Sequence, residues 1–106
     1  MFGAEEFGRM PAHSVYINAS RGETYQLDAL YEAVTSGHLF GAGIDVYNPE
    51  PPPTNHPIFQ LPNVICTPHI ASGTVERQYA INRAQLANAQ RVFGGLSAEN
   101  EVIYTE

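Results

Sequence analysis

Apolar residues recur along this chain with two different periods. Ser14-Val15-Tyr16-Ile17-Asn18-Ala19 is β-branched and aromatic, which predicts a short buried strand, with Ser20-Arg21-Gly22 as the turn at its carboxyl end. Leu27, Leu30, Tyr31 and Val34 then fall at i, i+3, i+4 and i+7, one face of a helix. Thr24 is placed to cap that helix, which runs to about Ser36 and stops at Gly37, with His38 beside its negative end. Phe40 to Val46 predicts a second strand, where Gly41, Ala42 and Gly43 mark the close approach of a neighbour.

Six of the eight prolines, Pro49, Pro51, Pro52, Pro53, Pro57 and Pro62, crowd the stretch from Asn48 to Pro62, which predicts a loop, neither helix nor central strand. Val64 to Thr67 is a third short strand. After Pro68-His69-Ile70, Ser72 or Thr74 caps a long helix to about Phe93, with Val75, Tyr79, Leu86, Ala89 and Phe93 as an apolar stripe of which Tyr79 and Phe93 read first as core. Gly94-Gly95 ends it and a polar tail follows. At the other end, Ala4 to Met10 reads as the close of a helix that Pro11 stops.

A helix between short apolar strands is the pattern of a parallel sheet with right-handed crossovers. The expected class is α/β: three parallel strands with flanking helices, part of a doubly wound sheet. Strands buried on both faces need more helices than these segments supply, so the chain is expected to belong to a larger sheet or to associate with a partner.

Composition narrows the function classes. The net charge of −6 offers no basic face for nucleic acid. No stretch approaches the roughly 18 apolar residues of a membrane span. Cys66 is the one cysteine, which excludes an intrachain disulfide and a zinc-type pair and makes a reducing cytoplasm the expected compartment.

In an open parallel sheet, ligands bind beyond the carboxyl ends of the strands. The first strand end presents Asn18, Ser20 and Arg21. The second presents Asp45, with Glu50 shortly after, and the third presents Thr67 and His69. A guanidinium forks two hydrogen bonds to a carboxylate, so Arg21 suits a carboxylic acid. A histidine exchanges protons near neutrality, and a carboxylate beside it favours the imidazolium, so Glu50 next to His69 would keep an acid ready for a carbonyl oxygen. Taken singly, each has a plainer reading: surface arginine, solvated loop carboxylate, turn-capping Asp45, exposed histidine. His13, His38 and His56 keep that plainer reading, with no metal-ligand spacing among them, and Cys66 reads as an inert buried thiol.

Ile17-Asn18-Ala19-Ser20-Arg21-Gly22, Asp28-Ala29-Leu30, Ser36-Gly37-His38, Gly41-Ala42-Gly43-Ile44-Asp45-Val46-Tyr47 with Pro49-Glu50-Pro51, and Leu61-Pro62-Asn63-Val64-Ile65 with Thr67-Pro68-His69-Ile70 together resemble the C-terminal signature blocks of the D-2-hydroxyacid dehydrogenases. The resemblance runs in order from about Phe2 to Leu96. It implies that residues 1–96 are the C-terminal portion of a Rossmann-like NAD(P)-binding domain, with 97–106 a tail. It implies that Arg21 binds the substrate carboxylate and keto oxygen, that His69 is the acid and base, and that Glu50 tunes His69. Asn18, Ala19, Ser20, Asp45 and His69 would line the site of NAD or NADP, with Asp45 accepting from the nicotinamide carboxamide. The implied substrates are small 2-keto and 2-hydroxy acids, as in glyoxylate or hydroxypyruvate reduction, and the implied association is a homo-oligomer or the missing part of the domain.

Glu23-Thr24-Tyr25-Gln26-Leu27 departs from the family's pattern, and no G-x-G-x-x-G precedes a helix. The 106 residues alone are therefore expected to be inactive. A dinucleotide-binding regulatory module of the corepressor type, or an inactive remnant, are the competing readings.

Overall fold

The computed structural model describes residues 1–102; of the tail predicted at 97–106, residues 103–106 lie outside the described residues. The chain forms two compact units, Met1–Ala71 and Ser72–Glu106.

In the first unit the order is α1 (Ala4–Arg9), β1 (Ser14–Asn18), a 3-10 turn (Gly22–Thr24), α2 (Leu27–Thr35), β2 (Leu39–Ile44), a second 3-10 turn (Pro57–Gln60) and β3 (Val64–Cys66). The three strands form one sheet in the order β1-β2-β3. Both pairings are parallel, with Asn18 opposite Ile44 and Ile44 opposite Cys66, so the three carboxyl ends lie side by side.

One face of the sheet carries the core. Phe7, Leu30, Leu39, Ile44 and Ile58 are completely enclosed there. Each contributes about 1.5–3 kcal/mol by leaving water. The rings of Phe7 and Tyr16 meet edge to face at 5.1 Å, joining α1 to β1. Leu30 and Val34 are buried as the helical spacing predicts, and Leu27 and Tyr31 are partly buried beside them.

The strand reading needs one correction. Ser14 to Ala19 reads as buried throughout, yet only Tyr16 and Asn18 are buried; Val15 is 51% and Ile17 75% exposed. They share the open face with Ile65, with Phe40 beside them. Within this unit no helix covers that face, because α1 and α2 pack against each other on the opposite side. Of the small residues in β2, Gly41 is the close approach: a β carbon there would lie 2.3 Å from the Asn63 carbonyl oxygen, whereas Gly43 meets only Ile17 at ordinary distance.

Thr24 does not cap α2, which begins at Leu27 after an N-cap, Gln26, that makes no side-chain cap bond. The Thr24 hydroxyl accepts from Asn18 Nδ2 at 2.9 Å and donates to the Arg21 carbonyl at 2.7 Å, so it serves the turn instead. His38 follows Gly37, but its Nε2 lies 3.1 and 3.0 Å from the carbonyls of Phe7 and Met10, at the end of α1 rather than α2. The proline stretch does contain a helical turn, because Pro57 occupies its first positions, where a missing N–H costs nothing. His56 caps that turn by accepting from Ile58 N at 3.2 Å, and its Nε2 pairs with Asp28 at 2.9 Å.

The second unit is α3 (Val75–Phe93) and the residues that follow. Thr74 is the cap, accepting from Arg77 N at 3.2 Å. Val75, Tyr79, Leu86 and Phe93 form the predicted stripe but are all exposed, so they are not core in this chain. Beyond Gly95 the chain turns back, and Asn88 exchanges two hydrogen bonds with the backbone of Glu99. No helix among the described residues is long and apolar enough to cross a membrane.

Candidate active site at the carboxyl rim of the sheet

The rim is built from three turns, one after each strand. In the first, the buried Asn18 side chain is fully engaged. Its Nδ2 donates to the Arg21 carbonyl (3.3 Å) and to Thr24 Oγ1, and its Oδ1 accepts from the N–H and hydroxyl of Ser20 at 2.9 and 2.8 Å. Asn18 thus shapes the turn, and Ala19, Ser20 and Arg21 stand exposed on it. The Arg21 guanidinium donates to the Ser20 carbonyl at 2.7 Å and makes no ion pair among the described residues.

Gly22 fixes how near this turn comes to the next. A β carbon at Gly22 would lie 2.0 Å from the carbonyl carbon and oxygen of Tyr47, so only glycine lets the two backbones touch.

The second turn carries Glu50, between cis bonds at Asn48–Pro49 and Glu50–Pro51. Glu50 Oε1 accepts from the Tyr47 N–H at 2.8 Å, and Oε2 lies 2.9 Å from His69 Nδ1. The bond to His69, then that from Tyr47, then the charges of His69 and Arg21 hold the Glu50 carboxyl below its usual range. Arg21 therefore acts on Glu50 through space, though the two do not touch.

The third turn carries His69, in the left-handed backbone region at φ 56°. Below it sits Asp45, 5% exposed. Asp45 Oδ1 accepts from the Thr67 hydroxyl at 2.5 Å and from Ile70 N–H at 2.8 Å, and Oδ2 accepts from Ala71 N–H at 2.8 Å. These bonds, led by Thr67, hold the Asp45 carboxyl below its ordinary range. A cavity of about 340 Å³ adjoins the Glu50–His69 pair, with apolar walls from Tyr47, Pro51, Pro52, Phe59, Cys66 and Pro68. The Cys66 thiol is half-buried and pushed up by that burial, as an unreactive thiol is.

The structure thus joins Glu50 to His69 directly, places Arg21 on the neighbouring turn, and puts Asp45 beneath. Sequence reasoning missed Gly22, the tether from Asp45 to the His69 turn, and the use of Asn18 within its own turn. The parallel register held the signal for the second: Ile44 opposite Cys66 puts Asp45 next to Thr67. Among the described residues no group of three or more His, Cys, Asp or Glu is placed to hold a metal ion.

Three parallel strands with a glutamate–histidine pair and an arginine beyond their carboxyl ends form part of a Rossmann-like sheet. Residues 1–71 match the family described as "D-isomer specific 2-hydroxyacid dehydrogenase, NAD binding domain", and the chain belongs to that family. It is 43% identical over 79 residues to glyoxylate/hydroxypyruvate reductase B of Citrobacter koseri, covering 74% of this chain and 24% of that protein. It is 42% identical over 93 residues to the human glyoxylate reductase/hydroxypyruvate reductase, covering 88% of this chain and 27% of that one. Among solved structures, the NADPH-dependent glyoxylate/hydroxypyruvate reductase of Sinorhizobium meliloti, in complex with NADP and sulfate, superposes with a TM-score of 0.81 at 30% identity, covering 95% of this chain and 33% of that one. The D-lactate dehydrogenase of Lactobacillus jensenii with NAD+ gives 0.80 at 27% identity, covering 96% and 34%. The chain therefore spans about a quarter of the length of the curated relatives it matches.

Proposed function

We propose that this chain carries the proton-transfer and carboxylate-binding groups of an NAD(P)-dependent 2-hydroxyacid dehydrogenase, and that the intact protein reduces small 2-keto acids such as glyoxylate and hydroxypyruvate. The observation that carries the reading is the 2.9 Å contact of Glu50 with His69 Nδ1, on a rim shared with Arg21.

With Nδ1 donating to Glu50, Nε2 is the nitrogen left for proton transfer. It gives a proton to the C2 oxygen during reduction and takes one back during oxidation. Glu50 fixes that tautomer, and the Tyr47 N–H fixes Glu50. Arg21 clamps the substrate carboxylate with two parallel hydrogen bonds, and its one internal bond, to the Ser20 carbonyl, leaves donors free for that task.

The residues present fit the nicotinamide end of a dinucleotide. Ala19 and Ser20 are exposed beside the rim, and the Asp45 carboxylate, which accepts from three donors, keeps one lone pair for a fourth. Asn18 shapes that wall and His69 closes it. When bound, NAD or NADP supplies the hydride exchanged with C2. Residues 1–96 would be the C-terminal portion of the cofactor domain and 97–106 a tail. The exposed apolar face of Val15, Ile17 and Ile65 supports association, either with the rest of such a domain or as a homo-oligomer, and the lone free thiol suits a cytoplasmic setting.

The test is NADH oxidation with glyoxylate by the intact protein. His69→Asn lowers kcat by about 10²–10⁴-fold, the usual weight of a general acid, and Arg21→Ala raises KM steeply. Wild-type turnover in both variants rejects the proposal.

A further inference from the structure

We infer that Asp45 is a positioning residue for His69: its buried carboxylate clamps the turn Thr67–Ala71 in the backbone shape that presents the imidazole to Glu50. The inference rests on His69 being the proton-transfer group.

His69 has a β carbon, yet it holds φ at 56°, a region such residues seldom occupy. A conformation of that kind persists only where its surroundings over-determine it. Here the determinants are three donors converging on one carboxylate. They come from both sides of His69: the Thr67 hydroxyl before it, and the N–H groups of Ile70 and Ala71 after it. None of these bonds touches the imidazole, so what they hold is the turn that carries the ring.

Asp45 is itself anchored. Its N–H donates to the Asn18 carbonyl at 3.0 Å, which continues the ladder between β1 and β2 past the last strand residue. Thr67 N–H donates to the Ile44 carbonyl at 3.0 Å and continues the other ladder. The clamp thus couples the His69 turn to the rigid sheet, the footing a precisely held catalytic group needs. An amide cannot replace the carboxylate at no cost. An asparagine side chain in its place would offer one acceptor oxygen and turn its NH2 toward a donor, where now both oxygens accept.

Three variants of the intact protein test this, with NADH and glyoxylate as probes. Asp45→Asn is expected to lower kcat by up to about 10²-fold, the scale of an ångström's misplacement of a reacting group. Thr67→Val keeps the carboxylate and its charge and is expected to lower kcat less, with NADH affinity unchanged. In both, the 15N signals of the His69 ring should show the Nδ1–H bond to Glu50 weakened, and the pH profile of kcat should change. If Thr67→Val leaves kcat, the pH profile and the ring signals at wild-type values, the inference is wrong, even if Asp45→Asn fails to fold. It is equally wrong if Asp45→Asn weakens only NADH binding. His69→Asn separates the two ideas: turnover there rejects the role of His69 itself, whatever Asp45 does.

Discussion

Glu50 reaches His69 by a single contact, Oε2 to Nδ1 at 2.9 Å, while its other oxygen is tied to the Tyr47 backbone at 2.8 Å. The carboxylate thus bridges the Tyr47 backbone and the imidazole. Removing its charge should leave the fold in place and loosen the hold on the imidazole. Glu50→Gln is expected to lower kcat about 10-fold or more, within the range of acid–base groups. Rates measured across pH on the intact protein check this.

Gly22 sets the spacing between the arginine turn and the glutamate turn. With no room for a β carbon against the Tyr47 carbonyl, Gly22→Ala must push the two apart. Overpacking of this kind costs about 1–3 kcal/mol. Chemical denaturation of the variant should show that loss, and KM for the keto acid should rise more than the affinity for NADH falls.

Acid should loosen the rim early. Asp45 and Glu50 both have carboxyls held below their ordinary values of 3.8 and 4.5, Asp45 chiefly by Thr67 and Glu50 chiefly by His69. A group depressed on folding adds stability that is fully present above its unfolded value and lost as pH falls through the folded one. Stability from this pair should therefore be intact above about pH 5 and decline below about pH 4. Thermal unfolding across the acid range should show a shallower decline in Asp45→Asn than in the wild type.

His56 holds the second 3-10 turn by accepting from Ile58 N, and Ile58 is fully buried. His56→Ala should cost about 1 kcal/mol, as loss of a helix cap does, with little effect on the chemistry of His69. Urea unfolding measures it.

Much of this was legible because local rules and tertiary needs agreed. The spacing of Leu27, Leu30, Tyr31 and Val34 and the apolar run around Tyr16 and Ile17 pointed to a helix and a strand, and the proline stretch to the loop between β2 and β3. The helix start did not follow from Thr24, because Asn18 and the Arg21 carbonyl compete for its hydroxyl and tertiary bonds won. The burial of β1 was half right, since a strand pattern cannot say which face this chain covers. At the site, the pairing of Glu50 with His69 was readable as chemistry once both lay beyond strand ends. Gly22 and the Asp45 clamp were not, because each depends on how near two distant backbones come, and that is fixed by register rather than by residue type.

Dinucleotide affinity separates the rim from the rest of a cofactor site. These residues include no glycine-rich turn opening a helix, the usual seat of a pyrophosphate. Calorimetry of the 106-residue chain with NADH should find no micromolar binding; a micromolar constant would mean that the rim alone carries the affinity.

The most direct measurement is a crystal structure of the intact protein with NADH and oxamate, a stable mimic of a 2-keto acid. The account predicts the oxamate carboxylate on the Arg21 guanidinium, and His69 Nε2 within hydrogen-bond reach of the oxygen that stands for the C2 carbonyl. Oxamate bound away from Arg21, or an imidazole turned from that oxygen with Glu50 unpaired, would contradict it.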